Sequence, residues 1–163
     1  MKNKTTMFLV RAALIAAVYV VLTVVFAPFS FREVQVRIAE ALTILPVFTP
    51  AAVPGLFVGC LLGTLLSGAV LWDVIFGSIA TLLGAIGTRL LRKAHSFLAP
   101  VPPILANTLI VPFVLRHAYG VELPIPFMML SVFIGEVISC GVLGLLLYYA
   151  LRKRASSIFG PQE

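Results

Sequence analysis

The sequence predicts an all-α integral membrane protein, a compact six-transmembrane-helix bundle with both termini cytoplasmic. Three observations lead there. Hydrophobic residues make up 61% of the 163-residue chain and charged residues 11%, whereas soluble domains hold roughly 45–50% and about 25%. The surplus apolar surface must face lipid, which implies a single membrane domain and no separate soluble one. Apolar runs of spanning length recur, separated by connections containing Pro and Gly. Finally, charge is partitioned. Lys2, Lys4, Arg11, Arg89, Arg92, Lys93, Arg152, Lys153 and Arg154 flank the connections assigned to the cytoplasm. Glu33, Glu40, Asp73, Glu122 and Glu136 fall in or beside those assigned to the outside. Of the basic groups only Arg32, Arg37 and Arg116 lie outside, so the positive-inside rule sets the orientation.

The first helix is expected over Met7–Ala27, enough for the roughly 30 Å hydrocarbon core, with Pro28 closing it. Its basic start resembles the n-region of a signal peptide. The apolar run is long for an h-region, however, and Ala27-Pro28 is a poor cleavage site, so a retained span is expected. Phe29–Arg37 reads as a polar connection. Arg37–Phe48 is short for a span and ends among Pro46 and Pro50, which marks a short or tilted helix that needs protein around its ends. Val53–Ser67 follows, and its Gly55, Gly59 and Gly63 form a small-residue stripe for close helix contact.

Gly68–Leu71 is a tight connection. Trp72–Leu91 opens with an acid near its positive end, carries Gly77, Gly84 and Gly87, and finishes in the basic cluster Arg89, Arg92 and Lys93. Ala94–Pro103 is a Pro-punctuated loop. Ile104–Tyr119 spans next, with Asn107 and Pro112 inside it. Gly120–Pro126 leads to Phe127–Leu151, the last span, which stops at Arg152–Arg154. The two halves show no inverted repeat, which counts against a free-standing secondary transporter.

Several function classes drop out. The net charge of +6 sits at the ends of apolar runs, and no basic face interleaves with aromatics, so nucleic acid is not an expected partner. Cys60 and Cys140 lie inside apolar runs without C-x-x-C spacing and read as apolar packing residues. No metal-ligand cluster, cofactor motif, Walker motif or catalytic triad is legible, so the chain is not expected to be an enzyme and any ATP-driven work needs partner ATPases.

The polar residues inside the spans are few. Glu136 lies near mid-membrane in the last helix, where an acid costs about 2.5–3.5 kcal/mol on insertion scales unless it meets a cavity or partner. Gly135 and Ser139 leave room beside it. Ligand or ion contact is one reading; an internal salt bridge or a protonated structural group is the other. Asn107 falls at similar depth, where its amide suits either a heterocycle edge or a helix–helix hydrogen bond. Glu40 stands three residues after Arg37, so an i,i+3 ion pair competes with a ligand role. Asp73 complements its helix N-terminus or faces ligand, and Trp72 anchors at the interface or stacks on a planar ligand. Arg116 and His117 read as surface or interface groups. On the first helix, Ala12/Ala16 and Ala13/Ala17 form two small-xxx-small pairs, suited to a partner helix or to packing within the bundle.

Two blocks resemble a known family. VRIAEALTILPVFTPAAVPGLFVGCLLG (Val36–Gly63) and WDVIFGSIATLLGA (Trp72–Ala85) are similar to the QueT-type queuosine-precursor transporters. The resemblance implies the substrate-binding S component of an energy-coupling-factor (ECF) importer in the bacterial cell membrane. Such a component captures a micronutrient outside and topples in the bilayer when docked to a transmembrane coupling subunit and two ATPases. The implied cargo is queuine, preQ1 or a related 7-deazaguanine. On that footing Glu136 accepts the ring N–H and exocyclic amine in parallel, and Asn107 serves the neighbouring carbonyl or ring nitrogen. Glu40 or Asp73 faces the cationic amine. Trp72 with Phe76 or Phe133 covers the ring, and Ala12, Ala13, Ala16 and Ala17 dock on the coupling subunit. An S component for another small vitamin or base, and an ion-coupled carrier that protonates Glu136, are the alternatives.

Overall fold

The computed structural model describes residues 2–30 and 36–159, apart from the side chains of residues 2, 28–30 and 156. Arg32 and Glu33, placed above in an outer connection, and Glu163 lie outside the described residues. Every regular element among the described residues is helical. In order they are α1 (Lys2–Ser30), a 3-10 segment (Ile38–Val47), α2 (Ala52–Leu66), α3 (Leu71–Leu90), α4 (Val101–Ala118), α5 (Ile125–Arg152) and α6 (Ala155–Phe159). Two 3-10 turns, Leu91–Lys93 and Ser96–Leu98, join α3 to α4. Four stretches are long and apolar enough to cross a membrane: Asn3–Ala27, Leu71–Lys93, Ser96–Ala118 and Ile125–Arg152.

The 3-10 segment and α2 are shorter. Ten residues at about 2.0 Å each reach only about 20 Å, well below the roughly 30 Å hydrocarbon core. Runs of 3-10 helix this long are uncommon because the hydrogen bonds are poorly aligned. Here the segment is enclosed by protein, with Ala39, Glu40 and Leu42 to Pro46 all buried. Enclosure is the condition under which irregular backbone is tolerated at membrane depth. Leu42, Leu45 and Phe48 pack with Ile15 and Tyr19 of α1 and with Leu56 of α2. Farther along, Phe48 stacks between Tyr148 of α5 and Phe159 of α6, with ring centroids 5.2 and 5.8 Å apart.

The glycine stripe of α2 is where α1 lies. A Cβ built on Gly55 would stand 2.7 Å from the Ala12 carbonyl oxygen, and one on Gly59 would stand 2.8 Å from Tyr19 Cβ. Gly63 faces Thr23 in the same way, at 3.0 Å. Backbones this close leave no room for a methyl group, so glycine sets the helix separation. A second close approach joins α3 to α4, where a Cβ on Gly84 would lie 2.6 Å from Pro103 Cα. The other side of α1 is open, with Leu9, Leu14, Val21 and Val25 exposed.

This arrangement corrects the reading of the alanine pairs. Ala16 is buried and Ala12 half-buried, both against α2, so that pair is used inside the bundle. Ala13 and Ala17 are exposed and remain open to a partner.

Gly59→Ala is expected to lower stability by about 1–3 kcal/mol through overpacking. Gly141→Ala meets only Val137 of its own helix, at 3.7 Å, and should be neutral or gain up to about 1 kcal/mol from helix propensity. Thermal unfolding in detergent checks both. A neutral Gly59→Ala would contradict the helix contact described here.

Candidate functional site

Burying a carboxyl group without partners is costly, so the buried polar groups mark where the fold has been arranged around something. Glu40 and Asn107 are fully buried, and Glu136 is nearly so. The backbone is irregular at the two acids, and a proline follows the amide on its helix. Glu40 rides on the 3-10 segment. Glu136 directly precedes a π-helical stretch, Val137–Leu143, which widens α5 around Ser139 and Cys140. Asn107 precedes Pro112, which interrupts the hydrogen-bond ladder of α4.

Glu40 is the junction. Its Oε1 accepts from the Tyr19 hydroxyl of α1 at 2.5 Å and from the Thr81 hydroxyl of α3 at 3.0 Å. Its Oε2 is buried and has no partner among the described residues. The Thr43 hydroxyl donates to the Glu40 carbonyl at 2.6 Å. Across from Glu40, the Cys140 thiol donates to Glu136 Oε2 at 3.1 Å. Oxygens of Glu40 and Glu136 and the Cys140 sulfur lie within 4.8 Å of one another. Asn107 approaches the Glu136 carboxyl as a hydrogen-bonding neighbour, yet neither its amide nitrogen nor its oxygen reaches full hydrogen-bond geometry. The Ser139 hydroxyl is also buried without a partner.

Two facing carboxyls repel when both are charged, and a proton or a cation between them relieves the repulsion. The spacing selects the size of that cation. Charge-assisted N–H···O bonds measure about 2.7–2.9 Å, so one ammonium nitrogen can touch two oxygens no more than 4.8 Å apart. Glu40, Glu136 and Cys140 could also hold a metal ion. Sequence spacing shows no such cluster, because Glu40 comes from a segment distant from the Glu136/Cys140 pair on α5.

A second polar group lies where the start of the 3-10 segment meets the start of α3. Arg37 Nη2 lies 3.3 Å from both oxygens of Asp73. The Tyr119 hydroxyl donates to Asp73 Oδ2 at 3.0 Å and accepts from the Val70 N–H at 3.3 Å. Gly77 makes room for the pair, since a Cβ there would stand 3.1 Å from Asp73 Oδ1. Burial works against the Arg37 charge, but Asp73 and, more weakly, Cys60, Tyr19 and Glu40 together outweigh it and raise the guanidinium above its ordinary pKa. Burial, then Asp73, pushes the Tyr119 phenol up as well, which keeps it a neutral donor.

The structure therefore sorts the residues singled out in the sequence. Glu136, Asn107 and Glu40 meet. Asp73 does not join them; it is satisfied by Arg37 and Tyr119. The i,i+3 pairing of Arg37 with Glu40 is corrected, because Arg37 turns to Asp73 on α3 and Glu40 turns inward. Trp72 and Phe76 stack on each other, with centroids 5.6 Å apart, and line an outward groove of about 510 Å³ with Phe113 and His117. Phe133 is exposed. These rings do not cover the carboxyl pair. Cys140, read as apolar packing, donates to Glu136 instead. Tyr19 and Thr81 were missed. A lone tyrosine within an apolar helix is the signal for the first, because a buried phenol needs a partner.

Comparison with known proteins follows the same lines. The chain matches the model of the QueT transporter family over residues 9–153. Over 86 residues it is 33% identical to a protein of Lactococcus lactis subsp. cremoris named queuosine precursor transporter QueT. That alignment covers 51% of this chain and 50% of the relative, so the chain spans about half the length of the curated relative it matches. No solved structure matches. With its apolar helices, the match makes this a multi-pass membrane protein of a transporter family rather than an enzyme.

Arg37→Gln and Asp73→Asn should each destabilise the protein by roughly 3–5 kcal/mol, as when a buried ion pair loses one partner. The double variant should cost less than the sum of the two. A double-mutant cycle of unfolding measures this, and simple additivity would contradict the pairing.

Proposed function

Because the chain belongs to the QueT transporter family, we propose that it is the substrate-capture S component of an ATP-driven ECF-type importer, loading a queuosine precursor from outside. The cargo in this reading is an amine-bearing 7-deazaguanine such as preQ1 or queuine, in keeping with the name of the Lactococcus relative. A transmembrane coupling subunit and two ATPases supply the energy, since the sequence has no nucleotide-hydrolysing motif of its own. Four long spans, the 3-10 segment and α2 make the six-helix bundle. Both termini are assigned to the cytoplasm by the positive-inside rule, since Lys4, Arg11, Arg89 and Arg152–Arg154 flank the apolar runs on that side.

The observation that carries the reading is the carboxyl pair itself. Glu40 Oε2 is buried without a partner among the described residues, and both polar atoms of Asn107 are buried against Glu136 short of full hydrogen-bond geometry. Acceptors that close, next to a buried amide, suit a cationic amine attached to a heterocycle. Glu40 supplies the counter-charge in this account. Asp73 is unsuited to it, being already neutralised by Arg37. Glu136 accepts N–H donors, and Asn107 pairs with the neighbouring ring edge. A whole heterocycle does not fit between oxygens within 4.8 Å. Binding therefore separates the 3-10 segment from α5, the two elements whose backbones are least regular. Docking on the coupling subunit falls to the exposed Ala13/Ala17 face.

Calorimetry or fluorescence with purified protein tests the site. Glu40→Gln and Glu136→Gln should each weaken preQ1 by about 10- to 100-fold, the worth of one charge-assisted hydrogen bond. A 7-deazaguanine with a neutral nitrile in place of the amine should bind more weakly than preQ1. Unchanged affinity in both variants would reject the carboxyl role, and preference for an unrelated vitamin or base would move the cargo. Ala13→Trp or Ala17→Trp should abolish copurification with the coupling subunit while preserving preQ1 binding.

The same carboxyl pair favours one other reading, an ion-coupled carrier that shuttles a proton on Glu136. Uptake into proteoliposomes separates the two. Transport that follows a proton gradient without ATPase subunits supports the carrier, and transport only with them supports the importer.

A further inference from the structure

At the basic end of the bundle a cavity of about 400 Å³ opens along α1. Its charged lining comes from Lys4 and Arg11 of α1 and Arg89 of α3. Lys4 and Arg11 are separated by two helical turns and share a face. Arg89 is fixed in place, because its Nη1 donates to the Pro46 and Val47 carbonyls at 3.1 and 3.4 Å. No acidic residue lines the cavity, and the described acids Glu40, Asp73, Glu122 and Glu136 stand elsewhere. The described residues thus give these three cations no carboxylate partner.

Apart from Asn3 and Thr49, the rest of the wall is apolar. Phe48 and Phe159 stack on its inner side, and Met7 and Phe8 form the outer lip. Both lip residues are substantially exposed and continue the apolar face of α1, which in a membrane meets acyl chains. A soluble anion would use the cations and leave that lip idle. A phospholipid would use both, with its phosphate among the basic groups and its chains over Met7 and Phe8. We propose that this cavity is a binding site for one anionic phospholipid, of the phosphatidylglycerol or cardiolipin type. Basic pockets between membrane helices take such headgroups by charge attraction and hydrogen bonding. The site is independent of the carboxyl pair and of the cargo assigned to it. A lipid there ties α1 to α3 and to the end of the 3-10 segment.

Native mass spectrometry of the full chain, loaded from mixed phosphatidylglycerol and phosphatidylcholine vesicles, tests the proposal. One phosphatidylglycerol should be retained in clear preference to phosphatidylcholine. The double variant Lys4→Gln/Arg11→Gln should lose about thirtyfold in that retention, from two removed charges. Arg116→Gln, outside the cavity, should retain lipid like the parent. Thermal unfolding in phosphatidylcholine alone should be the same for all three, which separates lost binding from lost fold. Equal retention of the two lipids, or undiminished retention in the double variant, would overturn the proposal. So would displacement of the lipid by millimolar inorganic phosphate, which would mark a site for soluble anions.

Discussion

A carboxyl group inside a membrane protein must be answered by its surroundings, and the packing around Glu40 follows from that requirement. Tyr19 reaches it from α1 and Thr81 from α3. Both contacts require α1 and α3 to come close to an element only 10 residues long. The glycine stripe of α2 lets α1 approach, since Gly59 lies directly against Tyr19. Glycine packing and the buried hydrogen bond are thus two parts of one constraint. Remove the small residues and Tyr19 moves away; remove Tyr19 and Glu40 loses its shortest hydrogen bond.

The satisfaction is deliberately incomplete in chemical terms. One oxygen of Glu40 is fully engaged, while the other joins polar atoms of Asn107, Thr108, Ser139 and Arg37 as buried groups short of full hydrogen-bond geometry. Native interiors leave few such groups, and each calls for an explanation. Here Glu40 and Ser139 lie on two irregular backbone stretches, and Asn107 approaches the second carboxyl from α4. Regular helices use their own carbonyls and amides and resist local opening. A 3-10 segment and a π-stretch hold theirs less well, so the elements that present the acids are also those that can part. By contrast Asp73 accepts from both Arg37 Nη2 and Tyr119. Although Arg37 Nη1 is buried without a hydrogen-bond partner among the described residues, the set clamps the start of the 3-10 segment to α3 and the α4–α5 connection.

Membrane character was legible in the sequence because apolar composition and charge placement act over the whole chain. Glu136 and Asn107 were conspicuous for a local reason: a polar group in an apolar run has few benign explanations. Their meeting with Glu40 was not legible. The groups that hold Glu40 lie on other helices, and no spacing rule connects a tyrosine on α1 to an acid on a later segment. The alanine pairs show the same limit. Ala12/Ala16 and Ala13/Ala17 are equivalent as sequence, and only the position of α2 distinguishes the buried pair from the open one. Trp72 was equally compatible with ring stacking and with interface anchoring, and the choice depended on which way α3 turned its first residues.

The central claim is that the buried carboxyl pair is built to hold a cationic ligand. Identification by mass spectrometry of the small molecule that copurifies with the unaltered protein tests it most directly. The account predicts an amine-bearing 7-deazaguanine at close to one molecule per chain. An anionic or permanently neutral molecule at that stoichiometry would contradict it.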